Sequence, residues 1–177
     1  MQHIAIQYYK TPLGELILGS WGKRLCLCDW KERKDRGQID KRLRQGLQAS
    51  FREQSSRVID EAIVLIANYL DGKIMDLQVP LKLIGTDFQL RVWSAIRSIP
   101  YGESLSYSKL AMRLEQPRAI RAVATAVGAN AISLFIPCHR VVGEDGSLTG
   151  YAGGVAAKRS LLQMESHSIN QQYQLFQ

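Results

Sequence analysis

The chain has 177 residues, 46% of them hydrophobic and 22% charged, which excludes a disordered or fibrous polymer and allows one compact domain or two small ones. Its three cysteines, an odd number, argue against a disulfide framework, and no apolar run approaches the roughly 20 residues of a bilayer span. A formal net charge of +7 favours a polyanionic partner, because clustered Lys and Arg release counterions from a phosphate backbone.

The N-terminus, Met1-Gln2-His3-Ile4, carries no charged leader before an apolar segment, so the expected location is the cytoplasm. The first third reads as strands followed by a helix. Leu16-Ile17-Leu18 follows the turn signal Thr11-Pro12-Leu13-Gly14, and Leu25-Cys26-Leu27-Cys28 follows Trp21-Gly22-Lys23, which predicts a hairpin. Cys26 and Cys28 share a strand face and read as core. Grouped with His3 they lack a fourth ligand and a zinc spacing, so no metal is expected. Lys31 to Arg57 is charged and poorly patterned, suggesting a mobile loop plus a helix. Val58 to Leu70 carries the stripe Ile59, Ala62, Ile63, Ile66, Ala67, Leu70, a helix ending near Gly72.

Leu77 to Gly85, with Pro80 inside it, reads as an extended connector between a small α/β domain, residues 1–82, and a mainly helical one, residues 86–170. In the second part Phe88 to Ile96 is an amphipathic helix stopped by Ile99-Pro100-Tyr101-Gly102. Two short helices, Tyr107 to Leu114 and Arg118 to Val127, have the lengths and spacing of a helix-turn-helix. The second is built of small residues, which bring a backbone close to a groove without reading base edges. A plain structural helix pair fits the same pattern.

Phe135 to Gly143 places a nucleophilic sulfur, an imidazole and a fixed cation side by side in Cys138-His139-Arg140. A free thiol titrates near 8.5, so a neighbouring base or a helix N-terminus is needed to raise the thiolate fraction at neutral pH. In an extended segment adjacent side chains point to opposite faces, so Cys138 and His139 would communicate through a bridging water. Arg140 is expected to bond carbonyls or a carboxylate. Taken alone, Cys138 and His139 could equally be unrelated neighbours, and Glu165 reads as a solvated helix residue.

Ile136-Pro137-Cys138-His139-Arg140-Val141, with Arg121-Ala122-Val123 and Asn130 before it and Gly150-Tyr151-Ala152-Gly153-Gly154 after it, resembles the O6-alkylguanine-DNA alkyltransferases. The resemblance runs from about Phe88 through Glu165 and takes in Ile99-Pro100-Tyr101-Gly102-Glu103, Ser106-Tyr107 and Leu161-Leu162. In the N-terminal part only Thr11-Pro12-Leu13-Gly14-Glu15-Leu16 fits. It implies a ribonuclease H-like α/β domain, a winged-helix-like second domain, and a repair protein that flips an alkylated guanine from duplex DNA and moves its alkyl group to its own cysteine, without a cofactor and as a monomer. By the same resemblance Cys138 is the acceptor, His139 the base acting through water, Glu165 its orienting carboxylate and Asn130 a hinge. Tyr107, Ser108, Arg118 and Arg121 fall on the DNA side, and Tyr107, Val141, Tyr151, Ala152 and Gly153 around the base. Many members have proline after the hinge asparagine; here it is Ala131.

The chemistry agrees with that assignment. Displacement at a saturated carbon needs a soft nucleophile, and the thioether product has no group nearby to cleave it, so each chain acts once. Reaching the atom inside a duplex requires flipping, and Arg121 has the reach to fill the vacated stack. Gly153-Gly154 allows backbone close to a planar base. A lesion sensor on the same scaffold would lack the cysteine, and a cysteine hydrolase would turn over.

Overall fold

Leu16 to Leu18 and Leu25 to Cys28 lie in adjacent antiparallel strands, as the turn signals predict. The computed structural model describes the backbone of residues 3–175 and side chains through Ser168; Met1 and Gln2, part of the leader reading, lie outside the described residues. Strands β1 (His3–Thr11), β2 (Gly14–Trp21) and β3 (Arg24–Trp30) form a meander. A fourth strand, β4 (Ser50–Glu53), pairs parallel to β1, giving the order β3-β2-β1-β4. Before it, α1 (Arg36–Leu47) buries Ile39, Leu43 and Leu47, one residue per turn. The stretch expected to be mobile is therefore a helix and a strand. Ser50-Phe51-Arg52-Glu53 is an exposed, charged edge with one half-buried apolar residue, the kind of strand whose pattern is too weak to read.

Helix α2 (Arg57–Leu70) is capped by Ser56, whose hydroxyl accepts from Ile59 N at 3.4 Å. It buries Val58, Ile59, Ala62, Ile66 and Tyr69. Ile63, Ala67 and Leu70 of the expected stripe are only half-buried, and Tyr69 takes the inward position at the last turn. The connector is extended as expected and is stitched to the sheet: Leu25 N donates to Pro80 O at 2.8 Å and Lys82 N to Leu25 O at 2.8 Å.

Helix α3 (Asp87–Arg97) opens on a capping box of Thr86 and Gln89. Strand β5 (Leu105–Ser106) leads into α4 (Tyr107–Arg113), capped by Ser106, and pairs parallel with β6 (Val141–Val142). Helix α5 (Ile120–Gly128) begins two residues later than expected, because Ala119 N closes a turn onto Gln116 O at 2.9 Å. Arg118 therefore sits in that turn, not on the helix. The Trp93 indole joins α3 to α5 by donating to Ala126 O at 2.8 Å, and α6 (Gly154–Leu175) closes the fold. The described residues thus form a mixed α/β fold of a four-stranded sheet, a two-stranded sheet and six α-helices. Its buried side chains make one continuous core from Ile4 to Leu161, running through both parts.

Candidate active site

Pro137 has a fixed φ and no N–H, and the chain turns immediately after it. Cys138–Arg140 is one turn of 3-10 helix, with Arg140 N donating to Pro137 O at 2.9 Å. This corrects the extended segment inferred from the apolar run: proline followed by Cys-His-Arg tightens into a turn, and all three side chains are buried. No hydrogen bond joins Cys138 to His139 even so.

Asn130 ties the end of α5 to this turn. Its Nδ2 donates to Ile136 O at 3.0 Å and lies 3.3 Å from the Cys138 Sγ, while its Oδ1 accepts from Ile132 N at 2.9 Å. With the side chain 1% exposed, every polar atom of the amide is used.

Behind the sulfur lies a buried ionic cluster around Glu165. His139 Nε2 is 2.8 Å from Glu165 Oε1, and Arg140 approaches the same carboxylate through Nε and Nη2 at 3.0–3.2 Å. Arg140 Nη1 also donates to Ile99 O at 2.7 Å, so its expected partners, a carbonyl and a carboxylate, are both present. Gly102 N donates to Glu165 Oε2 at 2.9 Å; with φ at +75° this turn position suits glycine. Ile99-Pro100-Tyr101-Gly102 is thereby explained, since its two ends serve the guanidinium and the carboxylate. The Tyr69 hydroxyl donates to Glu165 Oε1 and lies 3.3 Å from His139 Nε2.

Burial alone would raise the Glu165 carboxyl, but its bonds and charge interactions with His139 and Arg140 outweigh this and bring it down to about 2. Burial pushes the His139 imidazole below its ordinary value against the pull of Glu165. His139 is therefore neutral at rest, and Arg140 is the cation that keeps Glu165 ionised. An ionised Glu165 fixes the tautomer: Nε2–H donates to it, and the basic lone pair sits on Nδ1, which is buried with no protein partner. Burial also raises the Cys138 thiol, opposed by the hydrogen bond from Asn130. The resting site is a thiol beside a neutral, oriented base.

A cleft of about 960 Å³ opens beside this turn. Tyr107 of α4, Arg121 of α5, and Tyr151, Ala152, Gly153 and Gly154 line it, together with Trp30 and Arg33 from the N-terminal part. A Cβ on Gly153 would fall 2.4 Å from the Trp30 indole, so this glycine is required by Trp30 and not only by a bound base. Cys138 is 6% exposed and does not line the cleft itself. Val141 is not on the cleft wall either: it is wholly buried in β6, and its carbonyl accepts from Lys158 Nζ at 2.6 Å. Ser108 donates to Glu144 and lies 2.9 Å from the Ser106 hydroxyl, so its oxygen is already engaged. Arg118 is exposed but outside the cleft lining.

The other two thiols are remote from this chemistry. Burial raises Cys26 to about 12 and carries Cys28 further up, and Cys26 donates to Gly19 O at 3.5 Å. Among the described residues no cluster of His, Cys, Asp or Glu is arranged to hold a metal ion. Sequence reasoning missed Tyr69, Trp30, Arg33 and Lys158. Tyr69 reads as one more inward position on α2, and the others leave no local signal.

Residues 87–167 match the family described as "6-O-methylguanine DNA methyltransferase, DNA binding domain". A methylated-DNA--protein-cysteine methyltransferase of Haemophilus influenzae is 39% identical over 160 residues, 89% of this chain and 84% of that relative. One from Methanosarcina barkeri is 38% identical over 90% of this chain and 96% of its own length. The crystal structure of Mycobacterium tuberculosis OGT in complex with DNA superposes with a TM-score of 0.79 at 35% identity, covering 93% of this chain and 94% of that one.

Proposed function

This chain belongs to the methylated-DNA--protein-cysteine methyltransferases, DNA repair proteins that move an alkyl group from DNA onto their own cysteine, and we propose that here the acceptor is Cys138 and the lesion O6-alkylguanine. The observation that carries the assignment is the pairing of the Cys138 thiol, 3.3 Å from Asn130 Nδ2, with a neutral His139 whose Nε2–H is spent on Glu165. His139 Nδ1 takes the thiol proton through a water. The sulfur then attacks the alkyl carbon: the S–C bond forms, the C–O6 bond breaks, and its electron pair leaves on O6, where protonation restores guanine. Tyr107, half-buried on the cleft wall, is placed to hydrogen-bond the base as it leaves. The thioether stays on the protein, so one chain repairs one lesion.

On the same premise the strand order β3-β2-β1-β4, an antiparallel meander with a parallel fourth strand, supports a ribonuclease H-like reading of residues 1–82. Helices α4 and α5 beside the β5–β6 pair support a winged helix-turn-helix within residues 86–170. The protein would act as a monomer in the cytoplasm; among the described residues no helix is long and apolar enough to cross a membrane. The test is peptide mapping after incubation with duplex DNA containing O6-methylguanine. The added methyl belongs on the Cys138 peptide alone, and finding it on the peptide of Cys26 or Cys28 would refute the assignment.

Arg121 is exposed near the N-terminus of α5 and lines the cleft, which suits a wedge filling the stack left by a flipped guanine. A phosphate-only arginine would contribute salt-dependent affinity, and its loss would lower the salt slope by about one. Loss of a wedge should slow repair of duplex DNA by about tenfold or more, the cost of unstacking being a few kcal/mol. Reaction with free O6-benzylguanine, which needs no flipping, should change little in Arg121→Ala. Equal slowing on both substrates would show that Arg121 supports the active-site fold instead.

A further inference from the structure

The chain between α5 and the reactive turn is gripped from outside. Four consecutive carbonyls, Gly128 to Ala131, accept hydrogen bonds, and every donor comes from the N-terminal part. Arg33 donates to Gly128 O and, at 2.8 Å, to Asn130 O. Arg42 donates to Ala129 O at 2.7 Å, and Cys28 N to Ala131 O at 2.9 Å. These carbonyls end a helix, where partial negative charge gathers and cations are favoured. Arg33 is itself fixed: Asp29, wholly buried, takes Arg33 at 3.0 Å and Arg36 at 3.2 Å.

We propose that Arg33 and Arg42 are positioning residues for the transfer, holding the end of α5 so that the Asn130 amide stays against the Cys138 sulfur. This rests on Cys138 being the acceptor. Asn130 sits in the middle of the gripped segment, with its carbonyl held by Arg33 and its Nδ2 on the sulfur. The arrangement also accounts for Ala131 where proline is frequent in the family: neighbouring hydrogen bonds immobilise the hinge.

The charges reaching Cys138 come from every element around it. Asp29 on β3 disfavours the thiolate, while Arg33 after β3 and Lys158 on α6 favour it. His139 follows in the same turn, and Cys28, Tyr107 and Tyr151 complete the titratable surroundings. Removing the Arg33 cation and loosening Asn130 act in one direction, towards a thiol harder to ionise.

The experiment uses Arg33→Met and Arg42→Met in the full chain, the second breaking a single carbonyl contact in case the first fails to fold. The rate of Cys138 labelling by free O6-benzylguanine is measured from pH 6 to 9 on protein shown to be folded by its melting curve. The expected result is a rate about tenfold lower, the scale of a sub-ångström misplacement, and for Arg33→Met a midpoint of the rate–pH curve moved to higher pH. Folded variants with the wild-type rate and midpoint, differing only in melting temperature, would overturn the proposal. A wild-type protein that O6-benzylguanine does not label would instead count against Cys138 as acceptor.

Discussion

Cys138→Ala will bind duplex DNA and accept no alkyl group. No other group in the cleft can serve as the nucleophile: Cys26 and Cys28 are buried in β3, and burial keeps both protonated. The fold should survive, because the substitution removes one buried sulfur and leaves the Asn130 amide bonded to Ile136 O and Ile132 N. The lost contact should cost about 1 kcal/mol. DNA affinity should stay within about threefold of wild type, a change of under 1 kcal/mol, since the exposed Arg121 on α5 is untouched. Intact mass after incubation with methylated DNA reads the transfer, and fluorescence anisotropy reads the binding. A folded Cys138→Ala protein that lost DNA affinity as completely as it lost transfer would show that sulfur and DNA surface are one unit.

Glu165→Gln is the second large effect, and it falls on stability and rate together. The substitution keeps the shape and removes the charge that pairs with Arg140 inside the protein. Leaving a buried cation without its partner costs about 3–5 kcal/mol, which lowers the melting temperature by roughly 10 °C in a chain of this size. Transfer should fall by about two orders of magnitude or more, since the tautomer that leaves Nδ1 basic is no longer enforced. The pH dependence gives a separate check. Glu165 titrates at about 2 in the fold against an ordinary 4.5, so its folded-state pKa is depressed. Its contribution, about 3 kcal/mol from the shift, is fully present above 4.5 and is lost as pH falls towards 2. His139, depressed by burial, adds a loss that begins as pH drops below its ordinary 6.5. Melting curves of both proteins should therefore be separated by a constant gap from pH 7 to 5 that narrows below 4.5. A gap undiminished at pH 3 would mean that ionised Glu165 is not what stabilises the wild type.

The meander, α2, α3 and the helix pair were legible because apolar spacing and caps are local signals: Thr86 with Gln89, Ser56, and Gly14 after Pro12. Cys138, His139, Asn130 and Glu165 were legible as a group only through a family resemblance, since no one of them exceeds its ordinary alternative. The missed residues share a physical reason. Tyr69 reaches Glu165 across 96 positions and Arg33 reaches Asn130 across 97, and no periodicity encodes a contact between segments so far apart. Arg33 lies in a charged run that reads as solvated loop, yet the buried Asp29 beside it turns the run into a tie. The Cys138 turn was misread because an apolar run ending in proline looks extended until the hydrogen bond from Arg140 N to Pro137 O is seen.

A protein that works once must also wait unchanged until it meets its lesion. Peroxide and other soft electrophiles attack exposed thiolates, and the resulting sulfinic and sulfonic acids are not reversed by ordinary thiols. Cys138 is 6% exposed, and burial keeps it protonated. The burial that makes the sulfur dependent on His139 therefore also preserves it from oxidants, and the unreacted pool remains competent between encounters with damage.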